Sequence, residues 1–172
     1  MRKFLIIVCL AIMASNTYAQ SIPYAKVISI FNTWKTTNAT SVKSTSSQLK
    51  AISPKWSLES TKPTVEDETK YYLWKAPEGS ANTQYFALYI EEDATTVKYS
   101  LKYIFYNKAS YQAYLTSLKG SNPEKINTFE DRSKNEFTTT AEKAKINYFL
   151  KEFLMDGTKA YSIDIETKYI NK

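Results

Sequence analysis

The chain has 172 residues, with 23 Lys plus Arg against 17 Asp plus Glu, a net charge of +6 and no histidine. One cysteine, Cys9, and three glycines leave no Ser-His or Cys-His nucleophile pair, no zinc site of the usual ligands and no glycine-rich phosphate loop. Only Arg2 and Arg132 are arginines, and the lysines are scattered among acids, so no nucleic-acid partner is expected.

Residues 1–19 have the form of a secretory signal. Arg2 and Lys3 form a basic start, Phe4 to Met13 is unbroken apolar sequence, and Thr17-Tyr18-Ala19 places small residues where a signal peptidase reads them. The apolar run is too short for a bilayer, which needs about 20 residues. The expectation is an exported chain beginning at Gln20, periplasmic or extracellular, with no integral membrane segment. Cys9 follows Val8 inside the apolar run, which does not suit lipidation. An exported chain without another cysteine has no disulfide and must rely on burial.

Ser21 can cap a helix starting at Ile22, with Pro23 in its first turn and Tyr24, Val27, Ile28, Phe31 and Trp34 on one face. The polar stretch Lys35 to Ser47 is either a linker or a weak second helix, with Val42, Leu49 and Ile52 as its apolar stripe. Period-two alternation then predicts strands at Lys70–Lys75, Gln84–Ile90 and Val97–Phe105. Asn107 caps a helix from Lys108 to Lys119, with Tyr111, Tyr114, Leu115 and Leu118 inward and Gly120 as its left-handed stop. Further strands follow at Lys125–Glu130, Ile146–Phe153 and Ala160–Ile170, the last two joined through Asp156-Gly157.

The second half echoes the first. Adding 69 carries Asn38, Ser41, Leu49, Lys50 and Pro54 onto Asn107, Ser110, Leu118, Lys119 and Pro123. Adding 63 carries Tyr85, Phe86, Asp93 and Thr95 onto Tyr148, Phe149, Asp156 and Thr158, and adding 62 carries Tyr99 and Ser100 onto Tyr161 and Ser162. The expected fold is α+β: two tandem helix-plus-antiparallel-strand repeats, 38–106 and 107–172, forming one compact domain (20–172) with an extra N-terminal helix at 20–37.

Carboxylates are the only catalytic chemistry left: Glu66-Asp67-Glu68, Glu91-Glu92-Asp93, Glu130-Asp131, and Asp164 with Glu166 on one strand face. Most fall in turns or on polar strand faces, so no catalytic, cofactor or metal residue is assigned, and no cofactor is expected. The expected binding residues are Lys98, Lys102, Asp164, Glu166, Tyr85, Tyr89 and Trp74. Lys98, Ser100 and Lys102 share a strand face whose counterparts in the second half are Ala160, Ser162 and Asp164, followed by Glu166, so the face changes sign between the halves. Tyr71, Tyr72, Trp74, Tyr85 and Tyr89 alternate across faces, which puts some outside a single core. Exposed aromatics on a sheet suit a protein partner or a sugar ring.

With its repeated helix and hairpins behind a leader ending "YAQ", the chain resembles small exported Bacteroidetes proteins of unknown function built from α-β repeats. In architecture it is similar to the tandems of β-lactamase-inhibitory proteins, which bind protein partners on a sheet surface, although their disulfides have no counterpart here. The resemblance implies a non-enzymatic binding protein, in the manner of an inhibitor or immunity-type partner of an envelope protein. The alternatives are a glycan-binding module and a carboxylate-based glycan hydrolase.

Overall fold

The computed structural model describes residues 20–36, 41–64, 69–79, 81–92, 95–128, 134–141 and 144–170. Residues 1–19, expected to be a secretory signal, and the acidic stretches at 66–68 and 130–131 lie outside these residues. Among the described residues, three helices, α1 (Tyr24–Thr36), α2 (Ser41–Ile52) and α3 (Lys108–Gly120), accompany eight strands. These are β1 (Ser57–Thr64), β2 (Thr69–Glu78), β3 (Asn82–Glu92), β4 (Thr96–Phe105), β5 (Lys125–Thr128), β6 (Lys134–Ala141), β7 (Ala144–Met155) and β8 (Thr158–Ile170). All pair antiparallel in one α+β sheet of order β1-β2-β3-β4-β8-β7-β6-β5.

Two four-stranded meanders therefore meet at β4 and β8, where Thr96 pairs with Ile170 and Phe105 with Tyr161. The helix α3 carries the chain from this central seam to the far edge at β5. Sheet alternation puts Trp74, Phe86, Leu88, Leu101, Tyr103, Phe105, Phe137, Leu150, Tyr161 and Ile163 on one face, all buried. The helices cover this face with Val27, Ile30, Phe31 and Trp34 from α1, Leu49 from α2, and Tyr111, Tyr114 and Leu118 from α3. Aromatic edges lock the layers: Trp34 meets Tyr72 at 5.2 Å, and Tyr114 meets Phe105, also at 5.2 Å.

Several local expectations need correction. Ser21 does not cap α1, and Ile22 is not helical. Ile22 donates its N–H to the Tyr103 hydroxyl at 2.9 Å and accepts at its carbonyl from the Tyr114 hydroxyl, while the Pro23 carbonyl receives the first helical N–H groups, from Lys26 and Val27. Ser21 instead donates to Glu78 at 3.4 Å. Of the polar stretch Lys35 to Ser47, the residues from Ser41 onward form a helix, and Thr45 and Leu49 seat α2 on the sheet. Gly120 belongs to α3 and is not its left-handed stop; Asn122, at φ 51°, takes that conformation. The strands β1 and β6 were not expected.

The tyrosine-phenylalanine echo is also out of step with the sheet. Phe86 and Tyr148 both face the helices, whereas Tyr85 and Phe149 face the other way. Tyr85 and Tyr148 thus occupy opposite faces, and the offset of 63 between β3 and β7 does not relate like positions.

Candidate binding face

The helices occupy one face, so half of each strand's side chains point to a face that no described helix covers. Register places them in rows. Tyr71 lies opposite Tyr89, Leu73 opposite Ala87, and Lys75 opposite Tyr85. Across the next strand pair, Tyr85 lies opposite Ile104, Ala87 opposite Lys102, Tyr89 opposite Ser100 and Glu91 opposite Lys98. Across the seam, Lys102 lies opposite Asp164 and Ser100 opposite Glu166. The sheet thereby brings together Lys98, Lys102, Tyr85, Tyr89, Asp164 and Glu166.

Trp74 does not join them. It is only 1% exposed on the helix face, where its indole N–H donates to Ser46 Oγ at 2.8 Å. Its neighbours in sequence reverse face at each step, and Trp74 supplies the bulk that fills the core under α2. It leaves the set of binding candidates.

Within this face is a cleft of about 230 Å³, bounded by Tyr71, Tyr85 and Tyr89 and floored by Leu73, Ala87 and Ile104, with Lys102 and Met155 at its sides. The Tyr71 and Tyr89 rings lie 4.9 Å apart at 38°, and their hydroxyls hydrogen-bond. Burial, then the Tyr71 hydroxyl and the nearby Asp164 carboxylate, push the Tyr89 hydroxyl up to about 12. Burial likewise raises Tyr71. Both are therefore neutral donors at physiological pH.

The charges on the face are largely answered within it. Lys98 pairs with Glu91 at 3.4 Å, Lys75 with Glu59 at 2.7 Å, and Lys151 with Asp164 Oδ2. Lys134 lies 4.6 Å above the Phe149 ring. The change of sign between the halves thus has a local consequence, since Lys102 and Asp164 stand opposite one another across the seam instead of marking two separate lobes. Asp164 is 8% exposed, and its Oδ1, like Ser100 Oγ and Ser162 Oγ, is buried without a hydrogen-bond partner. Lys102 forms no ion pair among the described residues.

Tyr71, Leu73, Ile104, Met155 and Lys151 belong to this face and were not among the expected site residues. For Tyr71 and Leu73 the signal was present, because β2 parity assigns them away from Trp74 once that residue is placed in the core. For Lys151 and Met155 it was not, since their places depend on pairing between strands distant in sequence. Among the described residues no helix is long and apolar enough to cross a membrane. Comparison with protein-family models, with curated proteins and with solved structures finds no match to this chain.

Proposed function

We propose that this chain is an exported, non-enzymatic binding protein that engages a protein partner of the cell envelope or exterior through its helix-free sheet face. The observation that carries the reading is the convergence of Tyr71, Tyr85, Tyr89 and Lys102 around one cleft on that face. A rigid sheet that presents half-buried tyrosines needs little side-chain ordering to bind, and fixed charges beside them set orientation. The leader-like residues 1–19 support export.

A duplicated origin is part of this proposal, and sheet register supports it. A single offset of 62 carries β3–β4 pairing onto β7–β8 pairing: Phe86 with Tyr103 corresponds to Tyr148 with Ile165. An offset of 69 carries Val42, Thr45 and Leu49 of α2 onto the inward-facing Tyr111, Tyr114 and Leu118 of α3. At an offset of 62, Lys102 and Asp164 are counterparts that sit opposite one another, as they would beside a two-fold axis. An unchanged duplicate would set like charges face to face there, which is unfavourable.

The test is capture of partners from envelope extracts by the purified protein and by its Lys98→Glu/Lys102→Glu variant. Capture that depends on the two lysines supports the reading, and capture unchanged by their reversal sinks it. A second reading, a glycan site, draws on the same tyrosine-lined cleft; a glycan array gives its answer, and binding there that survives loss of protein capture would favour it.

A further inference from the structure

The cleft has dimensions and chemistry that restrict its occupant. Its volume of about 230 Å³ exceeds the roughly 150 Å³ of a cavity that takes benzene. It falls below the range of about 300–1,000 Å³ typical of pockets for whole ligands. One ring with a short arm fits within it; a whole oligosaccharide or nucleotide would extend beyond it. Leu73, Ala87, Ile104 and Met155 supply apolar contact to such a ring, between the Tyr71, Tyr85 and Tyr89 side chains.

Lys102 decides the charge. Lys75, Lys98 and Lys151 on the same face already have carboxylate partners, and Asp164, the acid across from Lys102, is held by Lys151. An apolar group filling the cleft alone would strip water from the Lys102 ammonium without replacing it, and a cation would meet like charge. A carboxylate satisfies it.

We propose that the cleft is an anchor pocket for one aromatic side chain of the partner with a carboxylate beside it, the ring lying among Tyr71, Tyr85 and Tyr89 and the acid meeting Lys102. The proposal rests on the reading of this face as a partner-binding surface and adds the chemistry of the contact. A single buried aromatic anchor with a charge-assisted bond at its edge is the form that interface hot spots take.

Two linked measurements test it. In the first, 3-phenylpropionate and 3-phenylpropanamide are titrated into the purified protein, with the Met155 methyl group as the reporter. The acid should bind at least about fivefold more tightly than the amide, in line with the added strength of a charge-assisted bond. Lys102→Met should erase that preference, and Ala87→Leu, which fills the floor, should weaken both probes. Equal binding of acid and amide, or no response at Met155, overturns the proposal. In the second, the captured partner is titrated against both variants, each checked for folding by circular dichroism. Losses of about tenfold or more in affinity are expected of an anchor contact. If both variants bind normally while Lys98→Glu/Lys102→Glu does not, the face is right and the anchor is wrong. If all three bind normally, both readings fall.

Discussion

Individual residues in this protein repeatedly take roles that bind one layer to another, and the segment before α1 shows how. Ile22 is fully buried, with its backbone N–H on Tyr103 and its carbonyl on Tyr114, so two hydroxyls in the core replace the helical bonds its neighbours make. Next to it, Glu78 at the end of β2 accepts from the Tyr106 N–H at 3.0 Å and from Ser21. Burial raises the Glu78 carboxyl above its ordinary range, and the two hydrogen bonds only partly offset this. An acid whose pKa is raised by folding favours the fold when protonated. Its contribution is complete below the unfolded value of about 4.3 and is lost as pH climbs through the raised folded value. Glu78→Gln can keep both contacts, accepting from Tyr106 and donating to Ser21 Oγ, without the charge. The variant should therefore match the parent near pH 4 and become the more stable of the two as pH rises toward 7, by a difference that levels off. Urea unfolding across that range measures it, and a difference independent of pH would contradict the assignment.

At the level of elements, local chemistry and distant pairing contributed unequally to what could be read in advance. The β7–β8 hairpin is the clear local case. Met155 pairs with Thr158 around Asp156 at φ 50° and Gly157 at φ 77°, the paired left-handed conformations of a tight two-residue turn. Open space surrounds a Cβ placed at Gly157, so replacement there is resisted by backbone conformation alone. Gly157→Ala should cost about 1 kcal/mol in urea unfolding and leave partner capture unchanged, since the turn lies outside the cleft. The cap of α3 was equally legible, with Asn107 Oδ1 accepting from the Ser110 N–H at 3.0 Å. Aromatic strands declared themselves by alternation. The strands β1 and β6 did not: Ser57–Thr64 and Lys134–Ala141 are polar, and pairing rather than composition makes them strands. β1 also carries Pro63, acceptable because β1 is an edge that need not donate on both sides. The start of α1 was misplaced because Tyr103 and Tyr114, about 80 and 90 residues away in sequence, compete for the backbone of Ile22. The candidate site divided along the same line: strand parity placed Lys98 and Lys102 together correctly, while the choice of Trp74 required knowing which face the helices take.

For the whole molecule, the seam between β4 and β8 is where the two meanders become one sheet. Ten residues of each strand pair there, from Thr96 with Ile170 to Phe105 with Tyr161, and the core runs across it without interruption. Beneath the seam, Tyr103 and Phe105 of the first half stack, and Phe105 meets Tyr161 of the second at 6.0 Å. The N-terminal segment ties the halves again, since Ile22 is held by Tyr103 from β4 and by Tyr114 from α3. Each half alone would expose the hydrogen-bonding edge of β4 or β8 and the apolar face under it. A unit of about 65 to 90 residues buries too little surface to tolerate that loss. Residues 20–106 and 107–172 expressed separately should therefore show no cooperative unfolding transition, and mixing them should restore strand signal and near-ultraviolet aromatic dichroism together. The same reconstitution should return the cleft's response to 3-phenylpropionate, although its walls come almost wholly from β2, β3 and β4, because β4 is held in place by β8 and Met155 is supplied by β7. A first fragment that folded alone and bound the probe would show the seam to be a junction between two independent domains, and the interpretation of the sheet as one cooperative surface would have to be given up.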